Sequence, residues 1–434
     1  MKNADILIIG AGATGLMAAH ELSKAGKMVI VLEARNRTGG RIHTITDASL
    51  SKPVELGAEF VHGDLPVTLQ LLKEARIEVI PASGEMWHYK NDKYSKGYQQ
   101  MDYWHLLMKE LTELEHDISI GDFLQQQFGG DKYTRLRESI IKYVAGYDTA
   151  DPFKASAFAL RKEWQGEDED AQYRIVDGYS KMINYLERES KANGTQLFLD
   201  SVVKNIYWEH NQVEAITIDN KSYKAEKLII ALPLGVLQAN SAEEGAITIS
   251  PSIPLYQEAI QQMGFGSIVK ILLEFKNGFW EDAETTKLAD NSLKRMSFLL
   301  SDEEIPTWWT QFPEHLTILT GWLGGPPAEK KKGLSDEELL EQSLQSLSNI
   351  FKRHIEELKG NLIKWNVVNW TTDPFTRGSY AYDTVEAKDA RRVLNIPINN
   401  TIYFAGEYLY DGPAMGTVEA ALTSGLETAK KLID

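Results

Sequence analysis

The chain contains no cysteine. That absence excludes disulfides, thiol nucleophiles, zinc–thiolate sites and any prosthetic group tethered through a cysteine. No apolar run approaches the ~20 residues needed to cross a bilayer. The first apolar strand, "DILIIG", begins after four residues, too soon for a charged region, apolar core and cleavage site of a secretory leader. With "AKKLID" at the other end, the expectation is a soluble, cytoplasmic chain without a membrane anchor. Positive charge is also scarce: 46 Lys and Arg face 62 Asp and Glu, a net charge of −16. The one basic run, Lys330-Lys331-Lys332, is followed at once by Asp336, Glu337 and Glu338. Nucleic acid and anionic membranes are therefore expected to be poor partners, and small cations welcome ones. What remains is an ordinary globular composition, 43% hydrophobic and 25% charged over 434 residues. It is enough for two or three domains.

The most informative stretch is "DILIIGAGATGLMAAHELSKAGKMVIVLEARNRTGGR", residues 5 to 41. A strand from Asp5 to Ile9 runs into Gly10-x-Gly12-x-x-Gly15. A helix carrying Leu16, Ala19 and Leu22 follows, and a second strand, Met28 to Leu32, ends at Glu33. This is a dinucleotide fingerprint in its full βαβ context. Gly10 makes the tight turn, Gly12 lets the backbone approach a pyrophosphate, and Gly15 lets helix and sheet pack closely. The helix N-terminus offers N–H groups and a positive dipole end to the diphosphate. Glu33 is placed to accept from both hydroxyls of the ribose, and its charge disfavours a 2′-phosphate.

A second stretch, "GSIVKILLEF" from Gly266 to Phe275, reads as a strand with a cation in its middle. By period-2 alternation Lys270 shares a face with Ile268, Leu272 and Glu274, while Val269, Ile271, Leu273 and Phe275 line the other. Read by itself, the Lys270 and Glu274 face is the wet side of a half-exposed strand.

The continuation of the fingerprint, "EARNRTGGRIHT", places two arginines before Gly39-Gly40-Arg41, with Arg35 and Arg41 as guanidinium groups close to an anionic cofactor. This stretch resembles the signature of the flavin-containing amine oxidase superfamily, and matching segments recur in order along the whole chain. The resemblance implies FAD as cofactor, with Gly10, Gly12, Gly15, Glu33, Arg35, Gly40 and Arg41 at its dinucleotide end. "VELGAEFVHG" (Val54 to Gly63) is similar to the segment that passes the reactive side of the flavin. There His62 would face the substrate tunnel, and Glu59 would suit a cationic amine. Val203 matches the position whose backbone meets the adenine, and "ALPLGVL" the crossing back toward the ring. In "KILLEF…FW" Lys270 matches a family lysine aimed at the flavin. "WNVVNWTTDPFTRGSYAYD", with Trp370 and Tyr380, resembles the flavin-flanking segment, and "RGSYAY" is closest to polyamine oxidases and histone lysine demethylases. Mitochondrial monoamine oxidases carry a flavin-binding cysteine where Ser379 stands, so FAD here is expected to be non-covalent. Glu407 matches an acid that bonds the ribityl or phosphate region. The helix beginning near Gly416, Thr417 and Val418 would present N–H groups to the pyrimidine end of the ring. Of the two facing rings that form an amine-guiding cage in many members, Tyr380 supplies one. Met415 and its neighbours stand where the other would be.

The resemblance implies an α/β (α+β overall) fold, a Rossmann-type FAD-binding domain interleaved with a substrate domain of mixed sheet flanked by helices. Residues 1–75, 175–262 and 381–434 are assigned to the first, and 76–174 and 263–380 to the second. Residues 75–175 have a helical, polar texture. Their aromatics (Trp87, Tyr89, Tyr103, Trp104, Tyr143, Tyr147, Phe153) suit either a core or a cavity wall. "LFLDSVVKNIYWEHNQVEAITIDNKSYKAEKLIIALPLGVL" alternates like a β-meander, and "SDEELLEQSLQSLSNIF" is an amphipathic helix with Leu339, Leu340, Leu344 and Leu347 on one side. The implied reaction is oxidation of an amine C–N bond by flavin, with molecular oxygen as oxidant and no metal. Lys270, His62 and Tyr380 are the positioning groups. An L-amino-acid oxidase, a protoporphyrinogen- or carotenoid-type desaturase and a non-catalytic flavin scaffold are the alternatives.

Overall fold

Two sheets draw their strands from alternating stretches of the chain. The computed structural model describes residues 2–48, 50–63, 65–97, 101–166, 172–412 and 414–433. In the first sheet Lys2–Ile9 lies parallel to Val29–Leu32 on one side and to Ser222–Ile230 on the other. All four residues of Val29–Leu32 are buried, the continuous apolar run of a strand covered on both faces. The order is Gln196–Phe198, Val29–Leu32, Lys2–Ile9, Ser222–Ile230, Gln212–Thr217, Val203–Glu209 and Thr248–Ser250, with Ile402–Phe404 beside the end of Ser222–Ile230. Val203–Glu209, Gln212–Thr217 and Ser222–Ile230 form the antiparallel meander that their alternation predicts. The fingerprint helix, Ala13–Lys24, packs against Ser180–Ala192 and Val418–Ile433.

The second sheet runs Leu362–Asn369, Ile268–Phe275, Ile318–Gly324, Thr307–Trp309, Met296–Ser301, Glu85–Lys90 and Lys93–Lys96. Its neighbours are antiparallel except Met296–Ser301 with Glu85–Lys90. Helix Asp336–Phe351 starts with a capping box between Ser335 and Glu338, which satisfies N–H groups at both ends of the first turn. It buries Leu339, Leu344 and Leu347 in the core that holds Val269, Ile271, Leu273 and Phe275. Leu340, expected on the same side, is half-buried at its edge.

Two readings made from the residue pattern alone fail. Ile268–Phe275 has no wet face: all eight positions are buried, Lys270 and Glu274 to 2% and 3% exposure. The supposed solvent side is covered by residues 50 to 59. Leu272 packs with Leu50, Val54 and Ile318, and Glu274 accepts the Ser51 N–H at 3.1 Å. The stretch from 75 to 175 is also not helical throughout. Glu85–Lys90 and Lys93–Lys96 form a hairpin, and Val79–Pro81 pairs with Gln172–Ile175, which also pairs with Val61–His62. "EMWHYK" alternates with period 2: Trp87 and Tyr89 are core, while Met86 and His88 line a cavity. The helices fall within 104–166, around a core that includes Phe123, Leu124 and Ile140. Among the described residues no helix is long and apolar enough to cross a membrane.

The helix face gives a test. Leu347→Ala removes a fully buried side chain and is expected to cost about 2–5 kcal/mol. Leu340→Ala should cost less than half as much, read as the difference between the two in thermal unfolding.

Candidate active site

One cavity of about 2340 Å³ is lined by the fingerprint, by Lys270, His62 and Tyr380, and by the aromatics Tyr103, Tyr147 and Phe153. Small-molecule pockets typically enclose about 300–1,000 Å³, so this one has room for a dinucleotide and a second molecule.

The fingerprint glycines build the first part. A Cβ on Gly15 would lie 1.9 Å from the Gly10 carbonyl oxygen, so only glycine permits this closeness of helix to turn. Around Gly12, by contrast, a Cβ would meet nothing within 4 Å: its open side faces the cavity, where a diphosphate would approach. Glu33 is buried at the end of its strand. Burial pushes its carboxyl pKa up, against the N–H groups of Arg35 and Ala11, which hold it down. Oε2 accepts from Ala11 at 2.8 Å and Oε1 from Arg35 at 3.0 Å. Each oxygen keeps a second lone pair for a ribose hydroxyl. Val203 is buried at the start of its strand and lines the same cavity.

Arg35 and Arg41 both line the cavity, each tied to a neighbouring carboxylate. Arg35 spends its fork on Asp373, at 2.8 and 2.5 Å, and on Thr376. It braces the fingerprint loop against the segment before "RGSYAY" while lining the cavity. Arg41 donates to the Ser379 carbonyl at 2.6 Å and to Glu407 at 2.9 Å. Glu407 also accepts the Ala381 N–H, so this acid positions Arg41 and the residues around Tyr380 while lining the cavity. Arg37, not foreseen, donates to the carbonyls of Thr38, Gly40 and Ile42 and so fixes the turn holding Gly40. Burial lowers its pKa to about 10. Trp370 donates its indole N–H to the Leu56 carbonyl at 2.9 Å and presents its ring to the cavity.

The last helix, Val418–Ile433, begins where expected. Gly416 has φ +74°, and a Cβ there would lie 2.9 Å from the Tyr380 ring. The Thr417 hydroxyl accepts the Ala420 N–H at 3.3 Å, and Thr417, Val418 and Glu419 line the cavity. Glu419 was not legible in the sequence. Its carboxylate accepts from Val67 N–H, Thr68 N–H and the Thr68 hydroxyl at 2.9, 2.7 and 2.7 Å. It thereby caps helix Pro66–Glu74, which has no side-chain cap of its own.

At the reactive part, Lys270 Nζ donates to Glu59 Oε2 at 2.8 Å and to the Gly57 carbonyl at 2.9 Å, above the Trp309 ring. Its third N–H has no protein acceptor among the described residues. Glu59, expected to suit a cationic amine, lines the cavity with both carboxylate oxygens bonded to the protein. Oε1 accepts from Arg174, Trp309 and Gln311 at 3.1, 3.0 and 3.2 Å. Burial works to raise its pKa, but Lys270 and Arg174 outweigh it and hold the carboxyl at about 2. His62 sits on a short strand with its ring 5.8 Å from Phe60, and no polar group among the described residues bonds to the ring. Burial pushes its pKa down to about 4, so the imidazole is neutral. Tyr380 donates its hydroxyl to the Tyr147 carbonyl. Burial, with Asp148 and Tyr147 nearby, raises its pKa well above the ordinary phenol. Met415 lines the cavity and its sulfur accepts from Arg391 at 3.4 Å. Pro413, which the cage reading also involves, lies outside the described residues. Sequence reading also missed an aromatic wall of Phe60, Phe298, Trp309 and Trp322, with neighbouring rings 5.6 to 5.9 Å apart. The alternation in "SFLL", "TWW" and "GWLG" was the available signal.

His62 has a lower pKa folded than the ~6.5 of an unfolded chain. Its neutral form therefore contributes stability in full above pH 6.5, and that contribution is lost as pH falls toward 4. His62→Phe should flatten the acid side of the melting-temperature profile between pH 6.5 and 4 relative to the parent chain.

The flavin containing amine oxidoreductase family model matches residues 13–433. The chain is 28% identical over 461 residues to polyamine oxidase 3 of Oryza sativa subsp. japonica, covering 98% of this chain and 88% of that protein. It is 26% identical over 468 residues to lysine-specific histone demethylase 2 of Homo sapiens, covering 99% of this chain and 53% of that one. Its fold is similar to that of putrescine oxidase bound to putrescine, with a TM-score of 0.79 at 21% identity over 99% of each chain. The open side of Gly12 and the ribose-facing Glu33 fit FAD, held without a covalent bond. The chain belongs to the flavin-containing amine oxidoreductases and is an FAD-dependent enzyme of amine oxidation.

Proposed function

We propose that this enzyme oxidises the C–N bond of a primary or secondary amine, a polyamine or a monoamine, to an imine that then hydrolyses. The observation that carries this reading is the Lys270 amino group in the wall of the same cavity that holds the dinucleotide cradle. FAD, held at the Gly12 turn and Glu33, would supply the acceptor for the hydride from the carbon next to nitrogen, with molecular oxygen as the final oxidant reduced to hydrogen peroxide. Residues 1–75, 175–262 and 381–434 form the cofactor lobe in this proposal, and 76–174 and 263–380 the substrate lobe.

The wall chemistry favours an amine over an amino acid. Each arginine lining the cavity is already paired: Arg35 with Asp373, Arg41 with Glu407 and Arg391 with Asp383. Arg174 is paired with Glu59. Among the described residues a substrate carboxylate would find no free guanidinium there. A cation would find the exposed ring of Tyr103 and the Asp151 carboxylate in the lining, and ring faces attract ammonium groups. That carboxylate also disfavours the wholly apolar substrate of a desaturase.

An alkylammonium has a pKa near ~10.4 and must lose its proton before its lone pair can assist C–H cleavage. The aromatic wall favours the neutral amine by desolvation. The neutral His62 ring is able to accept a hydrogen bond from the arriving ammonium. Tyr380, held by Tyr147 and packed against Gly416, orients the substrate. Lys270 offers its remaining N–H to a water or to oxygen.

The test is direct. The FAD-loaded protein should bleach without oxygen on addition of spermidine, putrescine or tyramine, and form hydrogen peroxide when oxygen is admitted. Bleaching by amino acids alone, or by none of these, overturns the reading. Lys270→Met should retain FAD yet slow flavin reduction or reoxidation at least about tenfold, equivalent to about 1.4 kcal/mol of barrier. Unchanged stopped-flow rates would leave Lys270 without a role in turnover.

A further inference from the structure

We propose that Glu59 is the positioning residue for Lys270: its carboxylate holds the lysine amino group so that one N–H faces the cavity. The inference rests on the reading of Lys270 given above and assigns to Glu59 a role distinct from substrate binding.

The geometry is specific. Lys270 is paired across its strand with Trp322 on one side and Val368 on the other. Its backbone is therefore fixed, but four side-chain torsions remain. Two acceptors arrest them, Glu59 Oε2 and the Gly57 carbonyl, both from the segment that covers the strand. Two of the three N–H groups are thus spent inside the protein, and the third is left to the cavity. Glu59 is arrested in its turn, since Arg174, Trp309 and Gln311 all donate to its other oxygen. A carboxylate tied at one oxygen and directed at a lysine by the other is how one side chain orients its neighbour.

The charged groups facing the pair are few. Arg174 comes from Gln172–Ile175, and its guanidinium stacks on Phe60. Glu55 acts on both Glu59 and Lys270 from Val54–Glu55. Trp309 and Gln311 are neutral donors. Glu55 cannot replace Glu59. Its oxygens are engaged by Thr44 and by the Tyr179 N–H rather than by Lys270, and its pKa, which burial pushes up to about 7, adds a titration at the low end of the range that every variant shares. Without the Glu59 charge, Lys270 and Arg174 stand near each other with no committed anion, a setting that favours the neutral amine.

The experiment compares the parent chain with Glu59→Asp, which withdraws the charge by one methylene, and Glu59→Gln, which removes it. The first readout needs no turnover. Cyanate carbamylates only the neutral amine, and the extent at Lys270 is measured by mass spectrometry on protein stripped of FAD, from pH 7 to 9. The expected order of rate is parent, then Asp, then Gln, with Gln at least about tenfold above the parent at pH 8. The second readout is reoxidation of the FAD-loaded protein, expected to gain a pH dependence in Glu59→Gln over the same range. If Glu59→Gln does not fold, Glu59→Asp carries the same test with a smaller rise. Equal carbamylation of Lys270 in every folded variant, with superimposable pH profiles, overturns the proposal even where melting temperatures fall. Unchanged turnover in Lys270→Met is a separate failure, which sinks the role of the lysine and leaves the carbamylation order to be judged independently.

Discussion

The ammonium of Lys270 and the carboxylate of Glu59 meet at 2.8 Å, with side chains 2% and 5% exposed. Two charges withdrawn from water this far are tolerated only when each is paired and its other hydrogen-bonding positions are filled. That requirement organises the middle of the molecule. Residues 50 to 59 must lie across the strand to supply the Gly57 carbonyl and Glu59. Gln172–Ile175 must bring Arg174, and the region around Thr307–Trp309 must bring Trp309 and Gln311. The aromatic wall then follows, because Phe60 and Trp309 pack on the cations that the carboxylate gathers.

Elsewhere the same device joins parts of the chain that lie far apart in sequence. Arg35 reaches Asp373 and Arg41 reaches Glu407 across separations of 338 and 366 residues. The Arg35–Asp373 contact is forked, so it sets orientation as well as distance. The fingerprint loop, the segment before Tyr380 and the end of the chain are therefore fixed to one another before any cofactor enters.

This explains what could be read in advance. The dinucleotide turn was legible because its chemistry is local: glycines at fixed spacing, a strand before, a helix after and an acid at the next strand end. The helix Asp336–Phe351 and the meander from Val203 were legible by period. The burial of Lys270 and Glu274 was not, since alternation assigns a face without saying what covers it. Nor was the fate of Glu59, Glu407 or Arg35, because whether an ionic group meets a ligand or a neighbour depends on residues hundreds of positions away. The resemblance to amine oxidases located these positions, and only the packing distinguished the braces from the groups left to the cavity.

The contact between Glu419 and Thr68 spans 351 residues, and this has a consequence in time. Chains are synthesised at about 5–20 residues per second, so the helix Pro66–Glu74 waits roughly 20–70 s for the carboxylate that caps it. The fingerprint helix Ala13–Lys24 waits longer still for Val418–Ile433 to cover its apolar side. A half-made chain thus leaves uncovered the apolar side of the helix that follows the dinucleotide turn, until Val418–Ile433 has been made.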